Sequence, residues 1–200
     1  FRREPSAEQV RGYMHRFERK IHTGIRQQER GVWGRDEAGE IRGKTLGIVG
    51  LGAIGGRIAA YAKSFGMNVV GTKRDPDTAP ADVDEAYPPT GLYDVLSQSE
   101  YVVLACPLTD ETRGLIGTKE FGAMGSDAVL VNIARGVVVD EDALIYALQQ
   151  NVIRGAALDV FEEEPYTTES PLWDLSNVVM TPHMAGSSPH KSERIATLFA

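Results

Sequence analysis

Three side chains in this 200-residue chain are of types that together could handle charge and a proton: Arg135, Glu164 and His183. Reducing a carbonyl that sits beside a carboxylate builds negative charge on the carbonyl oxygen. A fixed cation and a proton donor are both useful to such a step. Arginine is shaped to grip a carboxylate at two points, and a histidine next to a carboxylate is suited to giving up a proton near neutral pH. Each of the three follows an apolar run that reads as a strand, and ligand clefts in open α/β sheets lie beyond the carboxyl ends of their strands. Singly, each has a plainer reading: a surface charge for Arg135, a solvated acidic loop (162–164) for Glu164, a structural imidazole for His183. It is the combination that points to catalysis. His15, His22 and His190 have no comparable setting. Cys106 reads as a small cleft-lining residue rather than a nucleophile, and no set of ligands suggests a metal site.

A second constellation would hold a cofactor. Gly50-Leu51-Gly52-Ala53-Ile54-Gly55 follows an apolar strand and opens an amphipathic helix. Gly50 allows the tight turn, Gly52 lets the backbone approach a pyrophosphate, and Gly55 lets the helix pack on the strand. The N–H groups near Ala53 and Ile54, at the positive end of that helix, would hold the anion. Such a turn is weak evidence alone and strong evidence in a strand–turn–helix setting. An enzyme selective for NAD usually offers an acidic residue to the ribose at the end of the next strand. Here Lys73 and Arg74 stand there, two cations suited to a 2′-phosphate, so NADP(H) is expected in preference to NAD(H). The plainer alternative is a pair of solvated loop charges, and Asp75 could restore an acidic partner.

The elements that must position these groups show in the apolar pattern. Short apolar runs at 45–49, 67–71, 101–105, 128–133, 155–160 and 177–181 alternate with helix-like stretches at 53–64, 92–97, 118–124 and 141–149. Strands apolar throughout and separated by helices imply a parallel sheet covered on both faces, hence a doubly wound α/β fold. The dinucleotide-binding domain is expected over 44–187, with 75–90 as its most loop-like interior stretch. Before it, 6–30 predicts one polar helix with a narrow apolar stripe, opened by Ser6 as N-cap and lying against a second surface rather than inside a core. Residues 31–43 read as a loop.

Composition narrows the class. A hydrophobic share of 42% and a charged share of 24% are ordinary for a globular chain with a real core. A net charge of −7, with both signs interspersed, argues against nucleic-acid or anionic-membrane binding. One cysteine excludes a disulfide framework. No apolar run reaches the roughly 20 residues that span a bilayer. A cytoplasmic location is the default expectation.

Five ordered segments carry a family resemblance: the glycine turn; Cys106-Pro107-Leu108-Thr109-Asp110-Glu111-Thr112; Val131-Asn132-Ile133-Ala134-Arg135-Gly136; the run from Ala157 to Pro165; and Val179-Met180-Thr181-Pro182-His183-Met184-Ala185-Gly186. Together they resemble the D-isomer-specific 2-hydroxyacid dehydrogenases. The resemblance implies that Arg135 binds the substrate carboxylate and polarises its keto oxygen. It implies that His183 is the acid/base, and that Glu164 orients it. It further implies that Asp159 meets the carboxamide end of the nicotinamide, and that Cys106, Pro107 and the segment Ile133, Ala134, Arg135 line the cofactor cleft, with Gly186 nearby. A glyoxylate/hydroxypyruvate-reductase-like enzyme is the leading expectation, D-3-phosphoglycerate dehydrogenase the alternative, and a nicotinamide-sensing corepressor a distant third. Formate is disfavoured, because formate dehydrogenases resemble a pattern with Gln in place of Glu164. The family's subunits have two domains. The substrate domain is therefore expected to lie largely outside this chain, with 188–200 starting the helix that returns to it and 1–43 contributing to a homodimer. The isolated chain should then bind cofactor with little turnover.

Overall fold

The computed structural model describes residues 2–35 and 37–190. The helix expected to begin within 188–200 therefore falls mostly outside the described residues. Two helices open the chain, α1 (Arg3–Glu18) and α2 (Ile21–Glu29). Strands and helices then alternate: β1 (Thr45–Val49), α3 (Ala53–Ser64), β2 (Asn68–Thr72), β3 (Glu85–Tyr87), α4 (Leu92–Ser97), β4 (Tyr101–Leu104), α5 (Thr118–Ala123), β5 (Val129–Asn132), α6 (Glu141–Gln149), β6 (Gly155–Leu158) and β7 (Val178–Met180). The seven strands form one sheet in the order β3-β2-β1-β4-β5-β6-β7, with every pairing parallel.

Both faces of the sheet are buried, which is why its strands are apolar throughout. Successive side chains point to opposite faces. Val102, Leu104, Leu130 and Leu158 join a core capped by α4, α5 and α6. Leu46, Ile48, Val103, Val131 and Val179 join a second core on the other face, under α1 and α3. The α6 start is fixed by the Asp140 carboxylate, which accepts from Ala143 N at 3.0 Å.

The single helix expected over 6–30 is broken. Lys20 has φ of 50°, a left-handed conformation that ends α1 and re-aims the chain into α2. Ser6 is not the N-cap. It lies inside α1, buried, with its N–H donating to Arg2 O at 3.1 Å. Nor does α1 lie on a second surface: Val10, Tyr13, Met14 and Phe17 are buried in the core against α3. Its apolar stripe is narrow because one face of the sheet is shared between two helices. The stretch 75–90 contains β3, where Glu85, Ala86 and Tyr87 pair with Val70, Gly71 and Thr72.

The chain runs outward from β1 to β2 and β3, then crosses back to place β4 on the other side of β1. This reversal opens a crevice at the carboxyl ends of β1 and β4, where such sheets bind ligands.

Candidate active site

The glycine turn occupies that crevice. Gly50 ends β1 with φ of 103°, and a Cβ there would come within 2.7 Å of Cys106 N. Only glycine permits both the conformation and the approach. Gly50 N and Leu51 N donate to Thr72 O at 3.3 and 2.9 Å, which ties the turn to the end of β2. A Cβ on Gly55 would stand 2.2 Å from Gly50 O, so α3 can leave the strand this closely only from a glycine. Around Gly52 there is open space, and no side chain caps α3 there. The N–H groups of Ala53 and Ile54 precede the first helical bond, Gly56 N to Gly52 O at 2.8 Å. Uncapped donors, a positive helix end and room beside them fit a dinucleotide pyrophosphate.

Past β2, Lys73 is half-buried and Arg74 exposed. The Lys73 ammonium donates to Thr78 O, which closes the loop and leaves two further protons on the ammonium. Among the described residues neither cation forms an ion pair with Asp75 or any other carboxylate. The positive charge expected for a 2′-phosphate is therefore not neutralised locally.

The opposite wall follows β4 and β5. Cys106 is buried against the Gly50 turn, and burial pushes its thiol above the ordinary value, which suits packing rather than nucleophilic chemistry. Pro107 is exposed, its carbonyl accepting from Thr112 Oγ1 at 2.7 Å. After β5, Ile133 is half-buried and Ala134 buried. Asn132, 1% exposed, holds this loop from both sides. Its Oδ1 accepts from Ala134 N and its Nδ2 donates to Arg135 O, each at 3.0 Å. Arg135 is exposed, with Nη1 donating to Ala134 O at 2.5 Å. The motif reading missed Asn132; a lone amide closing a buried apolar strand was the available signal.

Glu164 and His183 meet as expected: Nδ1 lies 2.7 Å from Glu164 Oε2. The other carboxylate oxygen accepts from Phe161 N at 3.1 Å. Burial pushes the Glu164 carboxyl up. The His183 hydrogen bond, the Phe161 N–H and the charges of His183 and Arg135 together outweigh burial, leaving it below the usual carboxylate range. Arg135 is thus near enough to act on Glu164 electrostatically. An ionised carboxylate only accepts, so Nδ1 carries a proton and Nε2 is the nitrogen left to exchange one.

His183 is held in an unusual backbone state, with φ of 50°. Such a conformation persists where the surroundings over-determine it, and here Asp159 supplies the constraint. Its main-chain oxygen accepts from His183 N at 2.8 Å. Its carboxylate accepts from Thr181 Oγ1 at 2.5 Å, Met184 N at 2.9 Å and Ala185 N at 2.8 Å. Because the Thr181 proton goes to Asp159, the Tyr13 hydroxyl from α1 must donate to Thr181 Oγ1. Asp159, 1% exposed, thereby anchors the His183 loop, and the expected nicotinamide contact would have to use its remaining acceptor capacity. Gly186 lies where that loop passes α1: a Cβ there would come within 3.2 Å of the Arg2 side chain.

Arg135, Glu164 and His183 thus stand beyond the carboxyl ends of β5, β6 and β7, on the edge that carries the glycine turn. A parallel sheet with a pyrophosphate-type turn at its strand reversal and an imidazole–carboxylate pair on the same rim defines a dinucleotide-dependent oxidoreductase domain. The chain belongs to the D-isomer specific 2-hydroxyacid dehydrogenases, whose NAD binding domain matches residues 11–185. It is 45% identical over 163 residues to a glyoxylate reductase of Thermococcus gammatolerans, covering 80% of this chain and 48% of that one. It is 39% identical over 199 residues to a D-3-phosphoglycerate dehydrogenase of Methanocaldococcus jannaschii, covering 97% of this chain and 37% of that one. A D-isomer specific 2-hydroxyacid dehydrogenase of Xanthobacter autotrophicus Py2, solved with NADPH and MES, superposes with a TM-score of 0.87 at 36% identity, over 97% of this chain and 81% of that one. The chain spans about half the length, or less, of the two curated relatives. Among the described residues, no helix is long and apolar enough to cross a membrane, and no group of three or more His, Cys, Asp or Glu could hold a metal ion.

Proposed function

We propose that this chain is the cofactor-holding and proton-transferring part of a 2-keto acid reductase of the glyoxylate/hydroxypyruvate type, working with NADP(H) in preference to NAD(H). The observation that carries the reading is the His183–Glu164 pair, 2.7 Å apart, on the rim that bears the glycine turn. The bound cofactor supplies the hydride in reduction and takes it up in oxidation. Gly50, Gly52, Ala53, Ile54 and Gly55 hold its pyrophosphate, and Lys73 with Arg74 hold its 2′-phosphate. Cys106, Pro107, Ile133, Ala134 and Asp159 wall its nicotinamide end, with Gly186 at the margin.

Arg135 grips the substrate carboxylate and draws electron density onto the keto oxygen. His183 donates its Nε2 proton to that oxygen as negative charge develops there, and Glu164 stabilises the protonated imidazole. In the reverse direction Nε2 accepts the hydroxyl proton. A cytoplasmic homodimer belongs to the same reading. Exposed Ile21 and Ile25 on α2, with Val32 and Trp33 just beyond, support a subunit contact within 1–43.

Titrating the chain with NADPH and NADH tests the cofactor reading. NADPH is expected to bind at least about tenfold tighter, a gap near 1.4 kcal/mol, and Lys73→Asp to reverse the order. Equal affinities would make Lys73 and Arg74 bystanders. D-3-phosphoglycerate dehydrogenase is the second reading, supported by the relative that aligns over 97% of this chain. Comparing glyoxylate with 3-phosphohydroxypyruvate as substrates of the intact enzyme separates the two.

A further inference from the structure

At the opposite end of the sheet, the break between α1 and α2 leaves a concavity of about 540 Å³. Arg154 immediately precedes β6, and Ser176 and Asn177 immediately precede β7. The concavity therefore lies at the amino ends of these strands and shares no lining residue with the cofactor turn. Its walls are cationic in a chain whose net charge is −7. Lys20, Arg26, Arg30 and Arg154 line it, and among the described residues no Asp or Glu does.

Arg154 is matched, since its Nη2 lies 3.2 Å from Glu18 Oε2. Lys20, Arg26 and Arg30 have no carboxylate within 4.0 Å among the described residues, and Arg26 is held in the wall by Nη1 donating to the Ser176 carbonyl, which leaves its other N–H groups for a ligand. Arg154 Nε is buried with no hydrogen-bond acceptor, although a guanidinium N–H taken from water normally has one. Thr23, Ser176 and Asn177 add neutral polar groups to the same wall. His22 reports the local field. Burial holds its imidazole below the ordinary value against the Arg16 carbonyl, and the charges of Arg16, Arg26 and Arg154 push the same way. His22 and Arg26 on α2, and Arg30 capping its end, recur every four residues and line the concavity together.

We propose that this concavity is a second ligand site, for a small anion carrying two or more negative charges, either a phosphate ester or a polycarboxylate. Arg26 and Arg30 supply planar forks for its oxygens, Lys20 a mobile ammonium, and Thr23 and Asn177 neutral donors. A singly charged anion would leave most of this charge unmatched.

The test follows amide correlation spectra of the isotope-labelled chain through titrations with pyrophosphate and with citrate, each against sodium chloride at matched ionic strength. The amides of Thr23, Ser176 and Asn177 are expected to shift along a saturating curve. With Arg26→Gln/Arg30→Gln the affinity should fall at least about tenfold, as expected when charge-assisted hydrogen bonds are lost. Saturation by pyrophosphate alone assigns a phosphate ester, and saturation by citrate alone a polycarboxylate. Saturation by both assigns a site that reads charge. Non-saturating shifts, shifts confined to the Gly50–Gly55 turn, or unchanged affinity in the double variant would overturn the proposal. Should the double variant lose its folded spectrum, the exposed Lys20→Gln decides instead. About threefold weaker binding, on the scale of one exposed charge contact, supports the site, and unchanged binding overturns it.

Discussion

The contact between His183 and Glu164 lies at the surface rather than in the core. The Glu164 side chain is 35% exposed and that of His183 42%, so solvent screens the interaction. Its stability effect has a definite sign. The Glu164 carboxyl sits below its ordinary value of 4.5 in the folded chain. The pair therefore stabilises the fold fully above that value and loses its contribution as pH falls through the lowered native value. Stability–pH curves of the native chain and Glu164→Gln should differ at neutral pH and converge in acid. In the intact enzyme His183→Ala should slow turnover by about 10²- to 10⁴-fold, the usual contribution of general acid–base catalysis. Glu164→Gln should cost less and displace a limb of the pH–rate profile. Asp159→Asn is a different kind of lesion. It sets an amide N–H₂ against donors that now reach a carboxylate, and urea unfolding should show a loss of about 2–3 kcal/mol.

Between elements, the tightest fit joins the loops after β5 and β6. A Cβ on Gly136 would fall 1.8 Å from the Phe161 carbonyl carbon, and the Phe161 N–H is what holds Glu164. Gly136→Ala should destabilise the chain by at least about 2 kcal/mol and alter the His183 ring resonances, since the residue that orients the imidazole is displaced with its loop. Six of the seven strands, and the helices α3, α4, α5 and α6, were legible in the sequence. Buried parallel strands must be apolar on both faces, and a glycine turn acts over a few residues. β3 was not legible, because three residues, Glu85, Ala86 and Tyr87, carry no period; pairing with β2 makes them a strand. The turn at Lys20 was hidden for a related reason. A lysine gives no local sign of a left-handed conformation, and only tertiary packing imposes it. The site divides the same way. Arg135, Glu164 and His183 could be named from motifs, while Asn132, Thr181 and Tyr13 act through contacts with distant parts of the chain.

Across the molecule, α1 is wired to the sheet at both ends. Tyr13 reaches Thr181 on the cofactor rim. At the other end Glu18, 5% exposed, accepts from the Tyr101 hydroxyl at 2.6 Å and Arg154 Nη2 at 3.2 Å, with Lys44 Nζ at 3.7 Å. Glu18→Ala removes the carboxylate that Tyr101 and the half-buried Arg154 share, leaving them only each other and the Met14 carbonyl, and should cost about 1.5–3 kcal/mol in thermal or urea unfolding. The helix placed outside the core by its polar composition is thus one of the core's main supports. The His183 loop shows what such bracing permits. Asp159 fastens it to the end of β6 and Glu164 grips its imidazole, so on the proposed reading the proton donor and the cofactor cradle are carried by one sheet. A lineage could exchange whatever surface recognises the acid and leave that frame untouched. On that reading the grip on the carboxylate stays with the frame through Arg135, and only the surface that selects the rest of the acid is free to vary.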